Sequence, residues 1–210
     1  MGPMERPSSL EVVRLVPARG DDYLRFFDHE RGRAFADNPR WAKCYCHFYH
    51  VPPAIDWPKL DGDANRKAMA ARIAAGEMEG YLAYADGEVC GWMNAQPRHK
   101  LQHCFARMRI APPDLDVPPH EAAAIVCFVT APAARRRGVA SALLASALDD
   151  LAHRGIRVVD AFPFNAPPGS EIAADHYHGP LKMFEQAGFE RLVRHTDLTV
   201  VRKRLAGPGA

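Results

Sequence analysis

The feature that most constrains this chain is an apolar run followed by a helical pattern and a second apolar run. An almost unbroken apolar stretch occupies 121–130, and an apolar stripe at helical spacing extends from Gly138 to His153. Another apolar stretch follows at Ile156–Phe162. A strand that is apolar on both faces is typical of a sheet interior, and a strand–helix–strand succession with short joints makes the two strands parallel. The pattern therefore predicts a βαβ unit inside an α/β protein.

Turn residues and short periodic runs predict further elements on both sides of this unit. They are a strand at 11–16, a helix after Asp21, a helix to Ala75 capped by Asp61 or Asp63, a hairpin of 80–84 and 88–96, a short helix at 181–186, and a hairpin of 192–193 and 198–201. No repeat or linker interrupts them. We therefore expect one domain over 9–205, with flexible ends at 1–8 and 206–210.

Composition and charge narrow the functional classes. The chain has 210 residues, a net charge of +2 and no apolar run of the length that spans a bilayer. A charge balance this small does not favour a nucleic-acid or membrane-surface partner. The N-terminal residues lack the apolar stretch of a secretory signal, and five cysteines, an odd number, fit reduced thiols. We expect a cytoplasmic protein.

The joint between the long apolar strand and its helix carries the most informative motif. The segment Thr130–Ser141 reads Thr-Ala-Pro-Ala-Ala-Arg-Arg-Arg-Gly-Val-Ala-Ser. The first amides of a helix lack internal partners and, with the helix dipole, form an anion site. Gly138 and Ala140 leave room for a bulky anion to approach the backbone. A Gly-Lys-Ser/Thr motif is absent, so the segment is not a P-loop. The residues alone indicate a ligand that carries a diphosphate.

Two motifs resemble a known family. The pattern Arg135-x-x-Gly138-x-Ala140 resembles the acetyl-CoA signature Arg/Gln-x-x-Gly-x-Gly/Ala of the GNAT superfamily of N-acetyltransferases, and Leu181–Glu190 resembles its short helix ending in Gly-Phe. The resemblance covers roughly 11–204. It implies an α/β (α+β) GNAT fold: a mixed, mostly antiparallel twisted sheet of about seven strands, with the fourth and fifth strands parallel, flanked by about four helices.

The resemblance also implies an activity and a co-substrate. It implies transfer of an acetyl group from acetyl-CoA to a primary amine of a small molecule or protein, by direct attack in a ternary complex, with no metal. A backbone amide near Val129 would polarise the thioester carbonyl. The residues implied to bind the co-substrate are Phe128, Val129, Thr130, Arg135, Arg136, Arg137, Gly138, Val139, Ala140 and Ser141.

The chain departs from the family where a catalytic acid is expected. Many members place a tyrosine four residues before the glycine of Gly-Phe, and this chain has Phe184 there. The candidates that could transfer protons instead are Tyr177, His176, His178 and Glu121. Alternatively, the thiolate departs unassisted or takes its proton from water. The missing tyrosine also favours an alternative function, a catalytically weak acyl-CoA-binding sensor of the same fold.

The irregular segment 38–59 has three interpretations. Its aromatic residues Trp41, Tyr45 and Tyr49 would line the site of the amine acceptor, because family members build acceptor pockets in this region. Alternatively, its cysteines are reduced and only pack among aromatic rings. The third interpretation is a metal site at Cys44, Cys46, His47 and His50, although zinc sites usually have Cys-x-x-Cys spacing and a second pair elsewhere.

Two further expectations concern the loop at 97–120 and the quaternary structure. The loop contains five prolines and several basic residues. It would either recognise an acidic acceptor or be a solvent-exposed loop with no binding role. The edge strands of the C-terminal hairpin would allow a homodimer. The sequence does not distinguish among acceptors, because one fold serves many of them.

Overall fold

The computed structural model describes residues 9–28, 34, 41–165 and 176–206. Its seven strands form one mixed sheet in the order β1-β2-β3-β4-β5-β7-β6. The strands are β1 (Leu10–Arg14), β2 (Tyr81–Ala85), β3 (Glu88–Pro97), β4 (Ala122–Thr130), β5 (Val158–Ala161), β6 (Glu190–Arg194) and β7 (Thr199–Arg204).

Five α-helices accompany the sheet in the described part of the chain. They are α1 (Gly20–Phe27), α2 (Gly62–Ala74), α3 (Cys104–Met108), α4 (Val139–His153) and α5 (Leu181–Gln186). The α5 bounds agree with the sequence prediction. The N-cap of α2 is Asp61, not Asp63: its Oδ1 accepts from Ala64 N at 2.7 Å, which satisfies one of the orphan amides of the first turn.

The predicted parallel pair is confirmed. β4 pairs in parallel with β5, and every other neighbouring pair in the sheet is antiparallel. The helix of the βαβ unit, α4, buries one face that includes Val139, Leu143 and Leu144 against the sheet. The fold class expected from the residues and from the resemblance is the one observed.

β4 and β5 separate halfway along β4, and this separation positions the site. Pairing with β5 covers only Ala122–Ile125, because β5 ends at Ala161. Val126 is an extra residue in β4: Ile125 faces Ala95 across the β3 ladder, whereas Cys127 faces Asn94. Such a bulge bends the strand that carries it. From Val126 to Thr130, β4 therefore has no neighbouring strand on its β5 side among the residues that the structure describes.

The segment 97–120 is not entirely irregular, since it contains the one-turn helix α3, which the sequence did not predict. Cys104 and Phe105 of α3 are buried, and the Phe105 ring meets Phe162 edge-on at 5.8 Å. A helix of five residues is too short to form on propensity alone, so this turn exists through tertiary packing. No periodic signal of useful length marks it.

Arg98, just after β3, is one of the basic residues that the sequence associated with an acidic acceptor. It lies instead against the fully buried carboxylate of Asp160 on β5, with Arg98 Nη1 at 3.2 Å and Arg202 Nε at 2.7 Å from that carboxylate. Both guanidinium groups are themselves largely buried. The three charges tie the start of the 97–120 segment to β5 and β7.

Close packing of β3 against α4 depends on Gly91, and this gives a first prediction. A Cβ at Gly91 would lie 2.6 Å from Val139 Cγ1 and 3.2 Å from Leu143 Cδ1. Gly91→Ala should therefore lower the free energy of unfolding by about 1–3 kcal/mol through overpacking, measured by urea denaturation.

The matched control is Gly62→Ala, in the first turn of α2. A Cβ there would meet Lys43 at an ordinary 3.6 Å, so the variant should be as stable as the parent or slightly more stable. Equal stability of Gly91→Ala and the parent would contradict the packing described.

Candidate functional site

A cleft of about 1000 Å³ opens where β4 leaves β5. The start of α4 forms one wall of the cleft, and the segment before α5 forms the other wall. The unpaired edge of β4 forms the floor. The lining residues are Ala34, Phe128, Val129, Thr130, Ala134, Arg135, Arg136, Gly138, Val139, Ala140, Ser141, His176, Tyr177, Gly179 and Pro180. Every residue that the resemblance assigned to the co-substrate, except Arg137, lies on this cleft.

The loop before α4 presents the helix N-terminus to the cleft. Gly138 is the N-cap at φ 84°, and nothing lies within 4 Å of the position its Cβ would take. Arg136 also has a left-handed backbone, at φ 63°. Arg135 Nε donates to the carbonyl of Thr130 at 3.2 Å, which ties the loop to the end of β4. A helix N-terminus with open space and arginines beside it can hold an anion.

The backbone of β4 offers alternate amides to the cleft. Ala131 N donates to Cys90 O at 2.9 Å on the β3 side. Successive residues of a strand direct their amides to opposite sides, so Val129 also faces β3, whereas Phe128 and Thr130 face the gap. Phe128 N donates to the carbonyl of Tyr177 at 2.5 Å. The amide on the gap side next to the arginine loop is therefore that of Thr130, one residue from the position the sequence indicated.

A second cavity, of about 700 Å³, adjoins the cleft. Aromatic rings and thiols form most of its wall. Its lining residues are Trp41, Cys44, Cys46, Phe48, Tyr49, Trp57, Cys127, Val129 and Tyr177. Val129 and Tyr177 line both spaces, so the cleft and the apolar cavity meet at these two residues.

Tyr49 of the cavity wall forms a buried pair with His178, which lines neither space. His178 Nδ1 lies 2.6 Å from Phe162 O; because a carbonyl only accepts, Nδ1 carries the proton, and Nε2 accepts from the Tyr49 hydroxyl. Burial lowers the pKa of His178 to about 4 and raises the pKa of Tyr49 well above its usual value. Both groups are therefore neutral at pH 7.

The remaining predicted residues lie in different places. Tyr45 is buried and lines neither space; its hydroxyl donates to Asp28 Oδ1 at 2.9 Å. Glu121 stands before the first residue of β4 and faces Arg157. Eight residues of strand place it about 25 Å from Val129. Phe184, in the position of the usual acid, is fully buried against Phe128 and Phe189.

The four residues of the metal interpretation point in different directions. Cys44 and Cys46 line the apolar cavity, His47 Nδ1 is 2.8 Å from Asn65 Oδ1, and the buried His50 faces Gln96. Within the described ranges, no group of three or more His, Cys, Asp or Glu side chains is arranged to hold a metal ion. The same part of the chain has no helix with the length and apolar character to cross a membrane.

Several residues that line the cavity carry no signal of their own in the sequence. Phe48 and the two cysteines at 44 and 46 belong to the segment that the sequence associates with the acceptor site. Trp57 and Cys127 also line the cavity, and nothing in their local sequence distinguishes a ring or thiol that lines a cavity from one in the core. Gly179 and Pro180 line the cleft but carry no motif of their own.

Comparisons with known proteins agree with this geometry. Residues 41–169 match the sequence model of the Acetyltransferase (GNAT) family, and the chain belongs to that family. No curated protein matches it significantly.

Solved structures show the same fold at low sequence identity. A GNAT-family acetyltransferase from Streptococcus pneumoniae has 13% identity and a TM-score of 0.52, covering 94% of this chain and 100% of its own. YncA from Salmonella typhimurium, solved with its cofactor acetyl-CoA, has 16% identity and a TM-score of 0.52, covering 97% and 98%. PaiA N-acetyltransferase from Thermoplasma acidophilum, solved with coenzyme A, has 9% identity and a TM-score of 0.51, covering 93% and 99%.

The buried His178 gives a second prediction. Because burial disfavours the imidazolium, the folded protein binds this proton only as the pH falls toward 4, whereas an unfolded histidine binds it near pH 6.5. The contribution of His178 to stability is therefore complete above pH 6.5 and is lost as the pH falls toward 4. Imidazole ¹⁵N shifts of His178 should stay those of a neutral ring down to pH 5; a midpoint near 6.5 in the folded protein would contradict the pairing.

Proposed function

We propose that the protein transfers an acetyl group from acetyl-CoA to a primary amine, by direct attack while both substrates are bound. The acceptor is a small molecule or a protein amine. One observation carries the proposal: an anion-binding cleft and an apolar cavity meet at Val129 and Tyr177. A donor bound in the cleft and an acceptor bound in the cavity would present their reacting ends to each other there. The five free cysteines are compatible with a cytoplasmic location.

The cleft suits the chemistry of coenzyme A. The amides of Gly138–Ser141, at the start of α4, would hold the pyrophosphate, with Arg136 beside them. The pantetheine arm of coenzyme A would lie along the unpaired edge of β4 at Phe128 and Thr130. Acetyl-CoA supplies an acetyl group activated as a thioester. The amide of Thr130, which faces the gap, would donate to the oxygen on which negative charge develops.

Proton transfer must occur without the usual tyrosine. Phe184 has no proton to give, so we assign protonation of the leaving thiolate to the hydroxyl of Tyr177, a residue that lines both spaces. Among the described residues of the apolar cavity no carboxylate is present to act as a base. The amine would therefore enter in its neutral form. As the amine nitrogen bonds to the acetyl carbon, the carbon–sulfur bond breaks and the thiolate takes the proton of Tyr177. The proton that the amine nitrogen loses then restores the Tyr177 hydroxyl.

The second candidate function is an acyl-CoA sensor, favoured by the buried Phe184 in place of the acid. Calorimetric titration with acetyl-CoA, followed by release of free thiol in the presence of a pool of amines, distinguishes the two. Binding with thiol release supports the enzyme. Binding with no release from any amine supports the sensor, and absence of binding contradicts both.

Gly138 gives the third prediction. Gly138→Val puts a branched side chain into the open space at the start of α4, so the Kd for CoA should rise at least tenfold in calorimetric titration. The control is Gly155→Val, at the other end of α4: Gly155 has φ 81° and open space at its Cβ position, but it lies outside the cleft. Both variants bear similar backbone strain, so equal CoA affinity in the two would contradict the assignment.

Tyr177 gives the fourth prediction. Tyr177→Phe removes the hydroxyl but keeps the ring that contacts Trp41 and Phe164. The kcat should fall at least tenfold, since general acids contribute about 10²–10⁴-fold, while the Kd for acetyl-CoA stays within twofold of the parent. An unchanged kcat would show that the thiolate leaves without this acid.

A further inference from the structure

We infer that the acceptor is a primary amine attached to an apolar group, aromatic or aliphatic, and not a polyamine or an amino acid. The inference rests on the proposed function and names the class of its second substrate. It is carried by the chemistry of the apolar cavity, whose wall differs sharply from that of the donor cleft.

The wall of the cavity has no Asp, Glu, Lys, Arg or His side chain in the part of the chain that the structure describes. Five of its nine lining residues are aromatic, three are cysteines and one is Val129. Burial raises the pKa of Cys44 to about 12, so this thiol is neutral at pH 7. Aromatic faces and thiols can surround a hydrocarbon chain or a ring, but they cannot replace the hydration of a carboxylate or of a second ammonium group.

The aromatic wall is built in advance of binding. Phe48 meets Tyr49 at 5.0 Å and Trp57 at 5.2 Å between ring centroids, both edge-on. Arg107 of α3 lies over the outside of the Phe48 ring at 5.1 Å. Its guanidinium donates to the carbonyls of Val51, Pro52 and Ile55 at 2.8–3.0 Å. These bonds fix the loop that carries Trp57, which reduces the entropic cost of ordering the cavity wall when a ligand binds. They also pair the charge of Arg107 with carbonyl groups outside the cavity.

One polar group is placed to orient the amine. Tyr49 lines the cavity and hydrogen-bonds with the side chain of Tyr177. Its hydroxyl proton is donated to His178 Nε2, so the Tyr49 oxygen can serve a ligand only as a hydrogen-bond acceptor. A neutral amine has N–H groups to donate to it, whereas a carboxylate has none. The cavity thus holds an apolar body by contact and directs its amine toward the junction at Val129 and Tyr177.

Three six-carbon amines test the inference at constant chain length: hexylamine, 1,6-diaminohexane and 6-aminohexanoate. An aromatic amine, 2-phenylethylamine, is measured beside them. Thiol release with acetyl-CoA should give hexylamine and 2-phenylethylamine a kcat/KM at least a hundredfold above the other two. Because only the neutral amine reacts, kcat/KM should rise about tenfold per pH unit between pH 7 and 9.

A matched pair of variants locates the effect. Trp57→Ala should lower kcat/KM for 2-phenylethylamine at least tenfold with an unchanged KM for acetyl-CoA. Ile55→Ala, two residues away on the same loop and 43% exposed, lies outside the lining and should behave like the parent. Equal loss in both variants would assign the effect to the loop fold and overturn the role of the aromatic wall.

Failure of the inference and failure of the proposed function give different results. Similar kcat/KM values for hexylamine and 6-aminohexanoate would overturn the inference and leave the acetyltransferase in place. If no amine releases thiol, the proposed function fails, and quenching of tryptophan fluorescence still measures amine binding. A preference for hexylamine over 6-aminohexanoate would then support the apolar specificity of the cavity, and equal or absent binding would overturn it.

Discussion

The site depends on the point at which β4 and β5 stop pairing. After Ile125 the extra residue Val126 bends β4, and β5 ends at Ala161. Backbone amides in a sheet interior normally pair with a neighbouring strand, because an unpaired buried amide is costly. Here Phe128 finds the carbonyl of Tyr177, and the rest of the strand edge becomes the floor of a cleft. A break in the ladder thus creates the cleft that we propose binds the donor.

The same break places two different environments side by side. On the donor side, the start of α4 and the arginine loop favour an anion. On the proposed acceptor side, aromatic rings and thiols disfavour one. Val129 and Tyr177 belong to both, so the change from a polar to an apolar environment occurs within a single residue of β4. Such a boundary lets a charged donor and a neutral nucleophile occupy adjacent sites, each in surroundings that suit it.

Much of the donor side could be predicted from the sequence, because it is encoded in short contiguous signals. The apolar run of β4, the glycine at 138 and the α4 stripe are neighbours in the chain, and their local geometry follows from strand and helix rules. The sequence indicates an amide near Val129, but which of the neighbouring amides faces the gap depends on the pairing of β4 with β3, which the sequence does not give. Glu121 is a candidate at the beginning of β4, and the length of the strand places it about 25 Å from Val129.

The acceptor side could be predicted only in outline, because its wall is assembled from distant segments. Trp57 and Cys127 line the same cavity although seventy residues separate them in the chain. Tyr45 was expected on this wall with Tyr49, yet its ring turns to Asp28. Two successive left-handed residues, Tyr45 and Cys46, redirect the chain there, and non-glycine residues of this kind carry no reliable signal. The short helix α3, which supports the Trp57 loop through Arg107, likewise exists only by packing.

The most direct test of the account is a crystal structure of the protein with coenzyme A. The account predicts the pyrophosphate within hydrogen-bonding distance of the amides of Gly138–Ser141 and the sulfur between Val129 and Tyr177, at the mouth of the apolar cavity. A coenzyme bound elsewhere, or with its sulfur directed away from that junction, would contradict it.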